Sequence, residues 1–252
     1  MIRFVHPPRF RAAAIAWHSE GVPFGEICQR LNLPRSTVIN WVYRRHSRPM
    51  GPPRTCWRCA DTPDPSPDPA AYAYLLGQYL GDGHLVTTAR VPVLRISCTD
   101  AYPRIMDECE EAMRAVMAKS VQRVQSVGCT NVQAYSMHWP CLLPQCGPGK
   151  KHQRPIVLEE WQREIVAAHA GKFVRGLFHS DGCRALNNVT VRGRRYSYPR
   201  YFFYNESTDI LKLCGEALDL LGVQWRFNRR NSLSVAKREA VSILDAYVGA
   251  KR

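Results

Sequence analysis

Apolar positions recur at helical spacing in three short stretches near the N-terminus. Phe10 to Glu20 carries Ala13, Ile15 and Ala16 and is stopped by Gly21; Phe24 to Leu31 carries Ile27 and Leu31; Arg35 to Arg45 carries Val38, Trp41 and Val42. Asn32-Leu33-Pro34 reads as a turn between the second and third. Residues 47–70 lose this periodicity and fill with proline and turn formers (Asp61-Thr62-Pro63-Asp64-Pro65-Ser66-Pro67-Asp68-Pro69), as a stiff linker does. Beyond it, each half of the chain reads helix, two strands, helix, two strands, helix. The predicted domains are therefore 1–48, a linker at 49–70, and 71–252, the last made of repeats 71–168 and 171–250.

The two halves share an internal repeat. Tyr74-Leu75-Leu76-Gly77-Gln78-Tyr79-Leu80-Gly81-Asp82-Gly83 matches Phe173-Val174-Arg175-Gly176-Leu177-Phe178-His179-Ser180-Asp181-Gly182 in its glycine, its small residue four later and its closing Asp-Gly. Downstream, Thr99-Asp100 and Thr208-Asp209 precede helical stretches at 102–118 and about 210–221. Val121-Gln122 and Val223-Gln224 then open strands, and the hairpin after the second aspartate is the longer. Gly77 with Gly81, and Gly176 with Ser180, place small residues on one helix face, where two backbones can approach closely. Gly83 and Gly182 follow as expected left-handed caps. If the two stripes pack together, Asp82 and Asp181 meet at one end. Two carboxylates so placed repel unless a cation lies between them, and Mg²⁺ takes such hard oxygen donors.

These paired segments resemble the two motifs of single-chain LAGLIDADG homing endonucleases, over about residues 71–250. The resemblance implies an α+β fold of two pseudo-symmetric αββαββα repeats in a monomer. They would form a saddle over the DNA major groove, with the motif helices as central interface. It implies that Asp82 and Asp181 share Mg²⁺, two ions or more, with backbone oxygens of Gly81 and Ser180 assisting. Family members also carry a basic residue near the end of the last strand of each half. Lys237 fits this in the second half, and Met137 stands at that place in the first. Gln78, Leu80, Arg175 and His179 depart from the motif at helix-packing positions.

Charge supports a polyanionic partner. The chain carries a formal net charge of +14, and residues 1–60 hold ten Arg, no Lys and two acids, a surplus of eight. The first domain resembles a helix-turn-helix whose third helix enters the major groove, with Arg35, Ser36, Thr37, Asn40 and Arg44 as candidate contacts. A three-helix protein-binding module is the competing reading. In the second repeat Arg192, Arg194, Arg195 and Arg200 interleave with Tyr196, Tyr198 and Tyr201, and Arg226, Arg229 and Arg230 extend the basic surface. Arg90 and Arg95 would serve in the first half.

Ten cysteines without a secretory signal fit a reducing compartment. Cys56 and Cys59 form a CxxC which, with Cys141 and Cys146, is a candidate four-cysteine structural zinc site, with His152 in reserve. Cys28, Cys98, Cys109, Cys129, Cys183 and Cys214 have no ligand spacing and read as buried apolar residues. No run is apolar and long enough to span a membrane. The expectation is a cytoplasmic, nucleoid-associated monomer that cleaves double-stranded DNA at a long recognition site. The alternative is a transcription regulator using the same saddle only to bind. A role as an intein is not expected, since splice-junction signals are missing at Met1 and at Lys251-Arg252; a maturase-like role in RNA splicing stays open.

Overall fold

The computed structural model describes residues 8–43, 56, 68–249 and 251. The chain divides into two compact units, Met1–Thr55 and Cys56–Arg252. The first contains helices α1 (Pro8–Ser19), α2 (Phe24–Leu31) and α3 (Arg35–Tyr43). Its core is Ala14, Ile27, Leu31 and Val38, with Phe10, Trp17, Trp41 and Val42 packed around it. In α1 the inward stripe is Phe10, Ala14 and Trp17, and Ile15 is exposed, so the phase expected from Ala13, Ile15 and Ala16 is wrong. Two bulky aromatics outweigh one isoleucine in setting which face is buried. Asn32 closes α2 in the left-handed region at φ 51°, which lets Leu33 pack back on the core before Pro34.

In the second unit the order is α4 (Pro69–Leu80), β1 (Gly83–Val86), β2 (Val93–Thr99), α5 (Pro103–Val116), β3 (Gln122–Ser126), β4 (Cys129–Tyr135), α6 (Trp139–Leu142) and α7 (Glu160–Ala168). The pattern then returns: α8 (Ala170–Asp181), β5 (Gly182–Val191), β6 (Arg194–Tyr204), α9 (Thr208–Leu220), β7 (Arg226–Arg229), β8 (Ser232–Val235) and α10 (Arg238–Val248). The strands form two antiparallel four-stranded sheets of identical order, β1-β2-β4-β3 and β5-β6-β8-β7. This is an α+β fold of two αββαββα repeats. Alternation sets which face is buried: in β2, Leu94, Ile96 and Cys98 point into the core, while Ser97 and Thr99 are exposed. No helix among the described residues is long and apolar enough to cross a membrane.

The motif helices α4 and α8 pack backbone to backbone. A Cβ on Gly77 would stand 2.5 Å from the Phe173 carbonyl oxygen. One on Gly176 would stand 3.0 Å from the Gln78 amide nitrogen and closer still to the Tyr74 carbonyl. The small residues are therefore required by contact. Gly83 and Gly182 are glycine for a similar reason. Gly182 is extended (φ −95°), and Gly83 is not among the residues with positive φ, so neither is a left-handed cap. A Cβ would lie 2.8 Å from the Tyr79 carbonyl in one case and 2.6 Å from the Phe178 Cα in the other. The chain turns straight from helix into strand and leaves no room for a side chain.

Polar side chains of the two motif helices form a buried chain beside this contact. Gln78 Nε2 donates to Tyr74 Oη at 2.8 Å, and Tyr74 Oη lies 3.3 Å from His179 Nδ1. His179 Nε2 lies 2.9 Å from the Val248 carbonyl, an acceptor, so the imidazole is neutral with its proton on Nε2 and accepts from Tyr74. Burial holds His179 down, to about 4, with Arg175 adding repulsion. Arg175 forms a two-pronged pair with Glu108 at 2.8 and 2.6 Å and also caps the Val248 carbonyl. It thereby ties α8 of the second repeat to α5 of the first.

Replacing Gly176 with valine forces the two motif helices apart. The expected result is a loss of about 1–3 kcal/mol or more, read as a lower urea midpoint for the second unit; an unchanged midpoint would mean that the helices do not touch there.

Candidate metal and nucleic-acid site

Asp82 directly follows the C-cap of α4, and Asp181 is the last residue of α8, so the helix contact delivers both to one place. The crossing is locked at the tips: the Asp82 amide donates to Ser180 Oγ at 2.7 Å. Asp181 is partly buried and accepts from Asn205 Nδ2 at 2.7 Å. Asn205 is itself fixed at the end of β6, where its side-chain oxygen accepts from the Ser207 amide. Burial first, and then the charge of Asp82, lift the Asp181 carboxyl to about 6. The charge of Asp82 is therefore felt at Asp181.

Two clefts flank the helix tips. One, of about 620 Å³, contains Gly81, Asp181, His84, Lys151, Arg154 and Asn205. The other, of about 290 Å³, contains Asp82, Ser180, Ser97, Gln78 and Lys251. Each cleft thus brings together the aspartate of one motif and the preceding small residue of the other. Carboxylate and carbonyl oxygens around the raised Asp181 carboxyl fit a hard divalent cation.

Two lysines are already there. Lys151 Nζ donates to the carbonyls of Gly81 (2.7 Å), Leu80 (3.0 Å) and Tyr79. Lys251 Nζ donates to the Ser180 carbonyl at 3.1 Å. Burial lowers Lys151 to about 8, with Asp181 and Asp82 opposing the drop. Burial also lowers Lys251, again opposed by both aspartates. Sequence reasoning missed both residues, although a signal existed: Lys151 follows Gly81 by 70 residues and Lys251 follows Ser180 by 71. Lys237 is exposed at the N-cap of α10, and the ammonium groups acting on Asp181 are those of Lys151 and Lys251.

On the sheets, Arg192 and Gly193 turn the β5–β6 hairpin with φ of 49° and 76°. Arg194 and Arg195 are exposed, and so are Leu186, Tyr196 and Tyr198, on a ribbon whose outer half is accessible on both faces. Arg226, Arg229 and Arg230 are exposed, with Arg230 paired to Glu206 at 2.9 Å. Arg200 is held flat: it donates to Ser234 Oγ at 2.8 Å and lies over the Phe202 ring. The first sheet presents a different chemistry that the sequence reading overlooked. Arg95 donates to Gln133 Oε1, Ser97 to Asn131 Oδ1, and Asn131 to Ser126 Oγ, a ladder of amides and hydroxyls. Arg90 is exposed in the β1–β2 loop.

In the N-terminal unit Arg35, Ser36 and Thr37 open α3; Arg44 and the Asn40 side chain lie outside the described residues. Among the cysteines, Cys56 and Cys141 meet, but their partner is His138. Cys146 is not in that group, and Cys59 lies outside the described residues. Of the six cysteines expected to be buried, Cys98, Cys109 and Cys214 are; Cys28 and Cys129 are only partly buried, and Cys183 is exposed near the base of the hairpin.

The charge arrangement has a pH signature. Asp181 binds its proton more tightly folded (about 6) than unfolded (3.8), so the cost of ionising it appears as pH rises through that window and is complete above it. Asp181→Asn in metal-free buffer is expected to stabilise the second unit by about 2–3 kcal/mol near neutral pH and by nothing below about pH 4. Denaturant titrations at the two pH values check this; an equal gain at both would remove the electrostatic cause.

No protein-family model matches the sequence, and no curated protein matches it. Solved structures do resemble it. Mesophilic variants of the homing endonuclease I-DmoI match at TM-score 0.43 and 13% identity, covering 72% of this chain and 97% of that one. The LAGLIDADG meganuclease I-AabMI bound to uncleaved DNA matches at 0.44 and 9%, covering 70% and 83%. Full-length DUF199/WhiA from Thermatoga maritima matches at 0.45 and 16%, covering 73% of this chain and 56% of that chain.

Proposed function

We propose that this protein is a monomeric, site-specific double-stranded DNA endonuclease that hydrolyses phosphodiester bonds with Mg²⁺. The observation that carries the reading is the meeting of Asp82 and Asp181 at the tips of two tightly packed helices, each in a cleft lined by a carbonyl-bearing residue of the other motif. Such a pairing is electrostatically costly, and a structural role does not require it. Asp82 and Asp181 would hold the ions, with the Gly81 and Ser180 carbonyls as further oxygen donors. When bound, the metal supplies neutralisation of phosphate charge and activation of water. Asn205 orients Asp181. His84, Lys151 and Arg154 make the larger cleft attractive to a phosphate backbone. Lys237 is a further catalytic candidate, at the end of the last strand of its repeat.

The two sheets would form the saddle that reads the major groove over a long site. Arg192, Arg194, Arg195, Arg226, Arg229 and Arg230 supply phosphate and guanine contacts, and Arg200 is fixed on the sheet face. The N-terminal unit, residues 1–48, would act as a helix-turn-helix. It would place Arg35, Ser36, Thr37, Asn40 and Arg44 on DNA and raise the effective concentration of the second unit there.

One observation favours a second reading, a regulator that binds and does not cut. Lys151 and Lys251 already donate to the Gly81 and Ser180 carbonyls, so each cleft has a built-in cation where an ion would need those oxygens.

Incubation of the full-length protein with a randomised duplex library in Mg²⁺ and in Ca²⁺ separates the two. A nuclease gives sequence-specific cuts in Mg²⁺ that disappear in Asp82→Asn and Asp181→Asn, while both variants still bind. Tight binding with no cut in any divalent ion establishes the regulator. Under either reading affinity should fall by about 10³-fold or more between about 50 and 200 mM salt, and a flat response would exclude a phosphate-dominated interface.

A further inference from the structure

We infer that Cys56, His138 and Cys141 form a structural zinc site, separate from the aspartate centre. Cys56 Sγ lies 3.2 Å from His138 Nδ1, and one ligand atom from each of the three residues falls within 4.8 Å of the others. A tetrahedral zinc with Zn–S of about 2.3 Å and Zn–N of about 2.0–2.1 Å sets sulfur and nitrogen about 3.5 Å apart and two sulfurs about 3.8 Å apart, so small side-chain adjustments close the set. Two thiolates, which are soft donors, with one imidazole favour zinc over the hard cations suited to the aspartates.

The surroundings hold these ligands in place. His138 and Cys141 are three residues apart on one helical turn and so share a face. That turn is anchored on both sides. Trp139, fully buried, donates from Nε1 to the Ala134 carbonyl at 2.9 Å, and Tyr72 Oη of α4 donates to the Leu142 carbonyl at 2.6 Å. Cys56 and His138 are 8% and 5% exposed. Cys141 is partly exposed, and the burial of the other two ligands fits a structural task. The ion would tie the segment before α4 to the turn after β4, across 82 residues of sequence, and its binding energy would add to folding. Water would complete the tetrahedron. His138 in place of Cys146 is what distinguishes this site from the four-cysteine one expected from spacing.

The reduced full-length protein, purified without added metal, should contain one zinc per chain by atomic emission. After chelation, Co²⁺ should give thiolate charge-transfer bands in the near ultraviolet and strong tetrahedral absorption in the visible. Cys56→Ser, His138→Ala and Cys141→Ser should each lower zinc affinity by more than about 100-fold, beyond the cost of losing an outer-shell partner. Cys146→Ser and Cys183→Ser should retain it. The cobalt spectrum of the unmodified protein decides the matter even if a variant misfolds. Lack of both zinc and cobalt–thiolate bands overturns the proposal, as does full zinc content in the first three variants, or its loss in Cys146→Ser alone.

Discussion

Everything in the second unit hangs on the close approach of two helix backbones. Gly77 and Gly176 let α4 and α8 touch through main-chain atoms, and this fixes the relative position of two otherwise independent repeats. Each motif helix runs directly into the first strand of its sheet through a glycine with no room for a side chain, and the two sheets have the same strand order. The contact also determines the chemistry. The residues that follow the packed turns are the aspartates, and rigid helices bring them together before any ligand is present.

That arrangement needs electrostatic compensation, and the protein supplies it from within. The Asp181 carboxyl, lifted by burial and then by Asp82, is clamped by Asn205 and faced by Lys151 and Lys251. Deeper along the same interface, the polar residues Gln78, Arg175 and His179 are bonded to Tyr74, Glu108 and the last turn of α10. A buried polar group without a partner costs far more than it returns, and a satisfied one specifies a single register. These residues therefore make the helix contact directional as well as close. The two sheet faces differ: one is an amide and hydroxyl ladder, the other an arginine-rich ribbon. A pseudo-symmetric scaffold thus presents two chemically distinct surfaces.

By itself the sequence determined the repeat, the helix and strand order of both halves, the small residues at the crossing and the pairing of Asp82 with Asp181, because each of these is written in local periodicity or in an exact internal spacing. The phase of α1 was misread, since Phe10 and Trp17 outweigh Ile15 only once a third dimension lets them meet Ala14 and Val38. Only the tertiary structure placed Lys151 and Lys251 on the Gly81 and Ser180 carbonyls and His138 beside Cys56, contacts that join residues 70, 71 and 82 positions apart. No local pattern encodes such meetings, because they exist only after chain closure has brought distant backbone atoms into one cleft.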